Sequence, residues 1–140
     1  MKSRFADGLA VGPSPINGLG CFATRFFPKR GKIVEYSGER ISRGEVARRK
    51  SRRKLRICAI NQYWSLDGSR GGNGSHYINH CCEPNSYIKI LYGHILFIAL
   101  RDIHPGDEIT CDYISTYHSD GKRCSCKAPS CRGTINKQEK

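Results

Sequence analysis

The stretch Tyr77-Ile78-Asn79-His80-Cys81-Cys82-Glu83-Pro84-Asn85 decides how the rest of this 140-residue chain is interpreted. An apolar pair leads directly into two polar residues and two cysteines, and an asparagine follows the proline. Asn79 and His80 are candidates either for buried donors that fix a knot in the backbone or for ligands of a small molecule. An isolated Asn-His pair is more often a turn with locally satisfied side chains, so its meaning depends on the sequence around it.

Short strands separated by Gly and Pro turns are predicted on both sides of this stretch. The strand candidates are residues 33–36, a hairpin of 87–91 with 95–100 about Tyr92-Gly93, and 108–113. Residues 42–56 differ, because Ser42 with Glu45 resembles a capping box and the following Arg, Lys and Ala favour a helix. Few positions of this helix are apolar, so we expect it to be mostly solvated. The sequence predicts a mostly-β domain with one short basic helix.

The net charge of +12 is concentrated in two segments. Residues 40–56 hold nine Lys/Arg and one acid, and residues 122–140 hold six Lys/Arg and one acid, which leaves the remainder close to neutral. The basic segment has three interpretations: a nuclear-import-like cluster, a patch for DNA phosphates, or a solvated helix face. No apolar run is long enough to span a bilayer, and residues 1–20 do not resemble a secretory signal, so we expect an intracellular protein.

Eight cysteines in an intracellular chain indicate metal ligands rather than disulfides. Cys124, Cys126 and Cys131 lie within eight residues, and three thiolates so close in sequence suit tetrahedral Zn²⁺. The spacing leaves the fourth ligand open among His80, Cys81, Cys82 and His118. A site filled by four protein ligands would be structural, because catalytic zinc keeps one position open.

Five motifs occur in order along the chain: Asn17-Gly18-Leu19-Gly20, Glu35-Tyr36-Ser37-Gly38-Glu39, residues 72–85, Gly106-Asp107-Glu108-Ile109-Thr110-Cys111-Asp112-Tyr113, and the three-cysteine tail. Together they resemble the SET-domain protein lysine methyltransferases with a post-SET zinc motif. The resemblance runs from about Ser14 to Thr134. It implies a SET-type β-clip of short sheets with a pseudoknot near the C-terminus. It divides the chain into a SET domain at 1–120 with the basic insert at 42–56, a post-SET segment at 121–134, and a tail at 135–140.

The resemblance also implies the site. Backbone atoms of two segments would bind S-adenosylmethionine, and the matching residues are Asn17, Gly18, Leu19 and Gly20 in one segment and Asn79 and His80 in the other. Tyr113 matches the catalytic tyrosine, and Tyr36 matches a tyrosine near the lysine channel. The structural zinc would be held by Cys82, Cys124, Cys126 and Cys131. The implied reaction is methyl transfer to the side-chain amine of a lysine in a histone or histone-like basic tail.

Some positions depart from the usual pattern. Cys111 stands where a Tyr or Phe often limits how many methyl groups the lysine can carry, so the smaller thiol predicts two or three methyls. His76 stands where Arg is common, which puts a contact of that Arg in doubt. Residues 42–60 do not align and the strand around 56–65 is short, so Cys58 and Tyr63 receive no cofactor-contact role. Trp64 is interpreted as core. Acids near the motifs, among them Glu108, would either receive a basic peptide or be ordinary strand-end charges.

The alternative function is a zinc-stabilised module that binds nucleic acid or reads lysine peptides without catalysis. The implied partners are a histone substrate and nucleosomal DNA at residues 40–56, with no membrane contact and a monomeric state. A histone substrate favours the nucleus or chromatin, while bacterial cytoplasm and delivery into a host stay open.

Overall fold

The computed structural model describes residues 5–16, 18–49, 56–112, 129 and 131. The strands in this part of the chain are β1 (Leu9–Pro13), β2 (Leu19–Ala23), β3 (Lys32–Glu35), β4 (Glu39–Ser42), β5 (Ile57–Ala59), β6 (Trp64–Asp67), β7 (Asn79–His80), β8 (Ser86–Leu91), β9 (His94–Ala99) and β10 (Glu108–Cys111). One helix, α1 (Arg43–Arg49), and one 3₁₀ turn, Ser75–Tyr77, accompany them. The predicted mostly-β class with a short basic helix is confirmed.

The described strands form three small sheets. Their orders are β1-β2-β10-β7, β3-β9-β8 and β4-β6-β5. In the first sheet β10 runs antiparallel to β2 and parallel to β7, so it is the strand that joins the Asn79-His80 segment to the N-terminal hairpin. The central stretch of the sequence and the 106–113 motif therefore meet side by side.

The predicted hairpin of the second sheet is confirmed. β8 and β9 pair in register from Ser86 opposite Ala99 to Leu91 opposite His94. The two turn residues, Tyr92 and Gly93, have φ values of 49° and 79°. A two-residue turn with both central φ angles positive matches the right-handed twist of the flanking strands, and glycine adopts that conformation at little cost.

The main core lies where the sheets meet. Its most buried members are Cys21, Phe27, Ile95, Ile103 and Ile109, each with essentially no exposed surface. A second, smaller cluster of Ile41, Val46 and Ile57 lies between α1 and the third sheet. Burial of these apolar side chains is the main stabilising contribution to the arrangement.

The basic helix begins where the sequence predicted, because the Glu45 N–H donates to Ser42 Oγ at 3.3 Å. It does not extend through residue 56, since Arg56 precedes β5 outside any helix; residues 50–55 lie outside the described part. The helix is mostly solvated, as expected, and within α1 only Val46 and Arg49 are buried. The interpretation of Trp64 as core is wrong, because the residue is 39% exposed and its ring lies under the Arg40 guanidinium, 4.7 Å from the ring centre. Within the described residues no helix is both long and apolar enough to cross a membrane.

Candidate functional site

The central stretch is fastened to β10 by a set of buried hydrogen bonds. Asn85 Nδ2 donates to the Glu108 carbonyl at 2.8 Å, and Asn85 Oδ1 accepts from the Thr110 N–H at 2.9 Å. Ser86 Oγ donates to the Thr110 carbonyl at 2.6 Å. Since Asn85, Ser86 and Thr110 are all buried, these bonds hold β10 against the segment that follows β7.

The glycine-containing turn before β2 lies against β7. Asn79 Nδ2 donates to the Leu19 carbonyl at 3.1 Å, so two of the sequence-predicted cofactor segments are in direct contact. Gly20 is packed so closely that a Cβ atom would lie 2.4 Å from Glu108 Oε2, and Gly18 has a positive φ of 46°. The backbone at Gly18 therefore favours glycine, and a side chain at Gly20 would displace the side chains of Glu108 and Ser14. Asn17 lies outside the described residues.

Asn79 and His80 use their side chains within the protein. Asn79 Nδ2 also approaches Glu108 Oε2 at 3.0 Å and Ser14 Oγ at 3.2 Å. His80 is 3% exposed; its Nε2 lies 3.4 Å from Cys82 Sγ and its Nδ1 lies 3.6 Å from Asp112 Oδ1. A ligand at this position would therefore meet the backbone of β7 more readily than these two side chains.

Cys82 and Cys131 are brought together from positions 49 apart in the chain. Their Sγ atoms are 3.9 Å apart, far beyond a disulfide bond. Two thiolates on one tetrahedral Zn²⁺ at about 2.3 Å each would lie about 3.8 Å apart. The pair therefore fits half of the predicted zinc set. Cys124 and Cys126 lie outside the described residues, and within the described ones no group of three His, Cys, Asp or Glu side chains could hold a metal.

A buried group surrounds the predicted lysine-channel tyrosine. Tyr36 is 6% exposed, and its hydroxyl donates to the Arg56 carbonyl. Cys111, the predicted channel residue, is 1% exposed and Cys58 is 2% exposed. Burial raises the pKa of Cys58 to about 12, and it raises the pKa values of Cys111 and Tyr36 as well. These three side chains belong to one core cluster, which is a setting that disfavours charge.

Sequence reasoning gave Cys58 no role, yet the structure places it beside Tyr36 and Cys111. The electrostatic influence of Cys58 contributes to the raised pKa of each of these two residues, after the larger effect of burial. The segment had no alignable motif, and because the adjacent residues Ile57 and Cys58 are both buried in β5, no two-residue alternation could have indicated an inward Cys58.

His76, the departure from the usual Arg, also faces this region. Its ring lies against Gly68 and Gly72, where an added Cβ would come within 2.4 Å of it. Its Nδ1 is buried and has no hydrogen-bond partner among the described residues. Burial and the nearby Arg56 lower its pKa, so the neutral form is favoured.

A surface cleft of about 470 Å³ opens beside Tyr36. Its polar walls include Glu35 and His94, whose Oε2 and Nδ1 atoms are 2.6 Å apart, and Arg40. Ile60 and Leu66 contribute apolar lining. The cleft thus has both polar and apolar walls and reaches the predicted channel residue Tyr36.

Arg49 of the basic segment is buried, which the sequence did not predict. Its guanidinium contacts three carboxylates: Glu39 at 2.6 Å, Glu45 at 2.7 Å and Asp67 at 2.8 Å. Asp67 is 2% exposed, so α1 is anchored to the third sheet through a buried charge pair. The spacing of Glu45 and Arg49 by four residues was the only sequence signal for this contact, and it predicts no more than a weak surface pair.

Comparison with known proteins gives consistent matches. The protein-family model described as the SET domain matches residues 18–114 of this chain. The chain is 34% identical over 151 residues to the histone-lysine N-methyltransferase TRX1 of Oryza sativa subsp. japonica, covering 99% of this chain and 15% of that protein. It is 35% identical over 139 residues to the H3 lysine-4 specific histone-lysine N-methyltransferase of Schizosaccharomyces pombe, covering 91% of this chain and 15% of that protein. The chain thus spans about a seventh of the length of these two relatives.

Solved structures match as well. The methyltransferase domain of human histone-lysine N-methyltransferase SETMAR superposes with a TM-score of 0.80 at 25% identity, covering 94% of this chain and 58% of that one. A chain of ctPRC2 bound to S-adenosylmethionine superposes with a TM-score of 0.74 at 30% identity, covering 81% of this chain and 16% of that one. These matches confirm the SET-type β fold that the sequence predicted.

Proposed function

The chain belongs to the SET-domain family, and from that membership we propose that it transfers a methyl group from S-adenosylmethionine to a lysine side chain of a protein, with a histone as the substrate. The named relatives are histone-lysine N-methyltransferases, and a solved structural neighbour is bound to S-adenosylmethionine. The observation that carries the proposal is the juxtaposition of the start of β2 at Leu19, β7, and the buried group of Tyr36, Cys58 and Cys111.

The chemistry that this chain must supply concerns the protonation of the lysine. When bound, S-adenosylmethionine provides an electrophilic methyl group on a positively charged sulfur. A free lysine has a pKa of about 10.4, so its neutral amine costs about 4–5 kcal/mol at neutral pH. Burial raises the pKa values of Cys58, Cys111 and Tyr36 because it disfavours their charged forms. The charged form of an amine is the protonated one, so the same burial would lower the pKa of a lysine placed beside them.

The backbone of the two candidate cofactor segments is suited to the proposed ligand. The turn at Gly18–Gly20 contacts β7 through the Leu19 carbonyl, and a side chain at Gly20 would collide with Glu108. Gly18, Leu19 and Gly20, with Asn17 before them, would hold one side of the ligand, and Asn79 and His80 the other. Close approach of a ligand to backbone groups requires small residues of this kind.

Tyr113 is proposed as the catalytic residue. It follows β10 by two positions in the chain and lies outside the described residues. Its hydroxyl would orient the amine toward the methyl group; alignment at about 3–3.5 Å is a large part of what an enzyme contributes to such a displacement.

The zinc proposal is supported by the 3.9 Å separation of the Cys82 and Cys131 Sγ atoms. We assign the remaining two ligands to Cys124 and Cys126, which completes a structural Cys₄ site. Such a site would tie the post-SET segment at 121–134 to the end of β7. The domain division at 1–120, 121–134 and 135–140 follows from this assignment.

A DNA contact at residues 40–56 is proposed with a narrower set of residues than the sequence suggested. Arg40, Arg43 and Arg48 have exposed surface, whereas Arg49 is buried among carboxylates. The Arg40 guanidinium over the Trp64 ring gives a basic and aromatic surface that suits a phosphate backbone. The histone substrate and this surface together favour a location at chromatin, with the chain acting as a monomer.

The test is radiolabelled methyl transfer to purified histones and to a lysine-peptide array. We expect transfer by the wild-type chain and its loss in Tyr113→Phe, because the hydroxyl is removed with little change of shape. Tyr92→Phe is the matched control, since Tyr92 is 92% exposed at the hairpin tip and should keep full activity.

Calorimetric titration of S-adenosylmethionine and a salt-dependent DNA shift assay separate this function from the alternative one. A chain that binds DNA tightly and binds no S-adenosylmethionine would be a nucleic-acid module and would overturn the proposal. A chain that binds lysine peptides but transfers no methyl group would be a reader module.

A further inference from the structure

The side chain of Glu108 joins the two segments of the candidate cofactor site. Ser14 Oγ lies 2.8 Å from both Glu108 carboxylate oxygens and donates its proton to them. Asn79 Nδ2 donates to Glu108 Oε2 at 3.0 Å. The carboxylate also fills the space above Gly20, where a Cβ would lie 2.4 Å from Oε2. A single carboxylate on β10 therefore contacts the turn before β2 and the start of β7.

The strand register explains why Glu108 is in this position. β10 pairs with β2 through Glu108 opposite Phe22, and with β7 through Thr110 opposite Asn79. Gly20 lies two positions before Phe22 and therefore shares a face of the sheet with Glu108, so the carboxylate reaches diagonally over Gly20 toward Ser14. A strand with neighbours on both sides leaves Glu108 little freedom to move away.

Ser14 also makes hydrogen bonds within the turn that precedes β2. Ser14 Oγ accepts from the Ile16 N–H at 3.0 Å, and the Ser14 N–H donates to the Gly18 carbonyl at 2.8 Å. These bonds close the loop that contains the predicted cofactor-binding glycines. Through Ser14, the Glu108 carboxylate therefore fixes the position of a hydrogen-bonded turn and not of one side chain alone.

We propose that Glu108 is a positioning residue that fixes the distance between the two backbone segments that receive S-adenosylmethionine. The inference rests on the proposed function, since it assumes that these segments bind that ligand. Glu108 is then neither a site for a basic peptide nor an ordinary strand-end charge. Removing its charge would let the Ser14–Gly20 turn move relative to β7 while the core stays packed.

The decisive variant is Glu108→Gln, which keeps the shape but replaces one acceptor oxygen with a donor facing Ser14 or Asn79. Loss of one hydrogen bond to a charged acceptor corresponds to a change of about 10- to 100-fold in an equilibrium constant. We expect S-adenosylmethionine affinity, measured by calorimetry on the full chain, to weaken by that factor. In steady-state assays the KM for S-adenosylmethionine should rise while the KM for the lysine peptide stays unchanged.

Two further variants make the test specific. Asp102→Asn is the matched control, because Asp102 only accepts a hydrogen bond from the Lys29 N–H on an exposed loop, and its affinity should equal that of the wild type. Ser14→Ala removes the hydroxyl that donates to Glu108. Because both variants break the same contact, the loss of S-adenosylmethionine affinity in the double variant should be smaller than the sum of the two single losses. If Glu108→Gln does not fold, Ser14→Ala alone carries the comparison.

The outcomes are distinguishable. A wild-type chain that binds no S-adenosylmethionine overturns the proposed function and this inference with it. A wild-type chain that binds the ligand, together with Glu108→Gln and Ser14→Ala variants of unchanged affinity and KM, overturns only the positioning role. Equal rises in both KM values would indicate a general disturbance of the fold and would also count against it.

Discussion

Asn85→Ala should destabilise the chain strongly, because this side chain ties the segment after β7 to β10. The substitution removes the 2.8 Å bond to the Glu108 carbonyl and the 2.9 Å bond from the Thr110 N–H. Each bond contributes about 1 kcal/mol, and because its buried partner is left unsatisfied the cost of losing each one rises to about 1–2 kcal/mol. Asn85 is 5% exposed and Thr110 is 7% exposed, so little solvent can compensate. We expect the free energy of unfolding to fall by about 2–4 kcal/mol.

The assay is urea denaturation followed by circular dichroism, with the denaturant slope used to check that both variants unfold comparably. Asn61→Ala is the matched control: its Oδ1 accepts from the N–H groups of Tyr63 and Trp64 in an exposed turn, where water can replace it. We expect that control to lose less than about 1 kcal/mol. Asn85→Asp keeps an acceptor for Thr110 but sets a carboxylate against the Glu108 carbonyl, so it should also be destabilised. If Asn85→Ala and Asn61→Ala were equally stable, the idea that Asn85 fastens β10 would be refuted.

Three other predictions follow from the site. Cys111→Tyr should restrict the product to monomethyl-lysine, because a ring hydroxyl occupies space that the buried thiol leaves to further methyl groups; mass spectrometry of wild-type product showing only monomethyl-lysine, even at long times, would contradict this. Cys82→Ser and Cys131→Ser should each lower bound zinc, measured by elemental analysis, from about one equivalent to none, and a retained equivalent would rule out their role as ligands. Burial alone would raise the pKa of Asp67, but hydrogen bonds from Ser69 and Arg49 hold it below its usual range, so this carboxylate stabilises the fold above pH ~4 and loses that effect as the pH falls. Arg49→Leu should therefore be much less stable than the wild type at pH 7 and closer to it at pH 3.5, and a difference that does not change with pH would show that the charge contact is unimportant.

Local signals predicted the elements that depend on neighbours in sequence. The Tyr92-Gly93 turn and the apolar strands on either side predicted the β8–β9 hairpin, and the Ser42 cap predicted the start of α1. Both features arise from backbone conformations and hydrogen bonds within a few residues. The ordered motifs predicted the SET-type fold by resemblance, which the family and structural matches confirm.

Tertiary contacts account for what the sequence did not predict. Trp64 was expected in the core because it is large and apolar, yet Arg40 from the neighbouring strand covers its exposed ring. Glu108 was left open between an acid that receives a basic peptide and a strand-end charge, since nothing near it in sequence shows that Ser14, 94 positions away, donates to it. Composition counts such side chains but cannot identify partners that only the fold brings together.

The basic segment is the clearest case, because the sequence separated it from the part of the chain that carries the proposed site. Arg49 lies within that segment and contacts Asp67 at the end of β6. The next residue, Gly68, donates its N–H to the Arg56 carbonyl, and the Tyr36 hydroxyl donates to the same carbonyl. A continuous set of contacts therefore runs from α1 to the candidate lysine channel. The basic segment therefore helps to support the position of Tyr36, through Arg49, Asp67 and the Arg56 carbonyl.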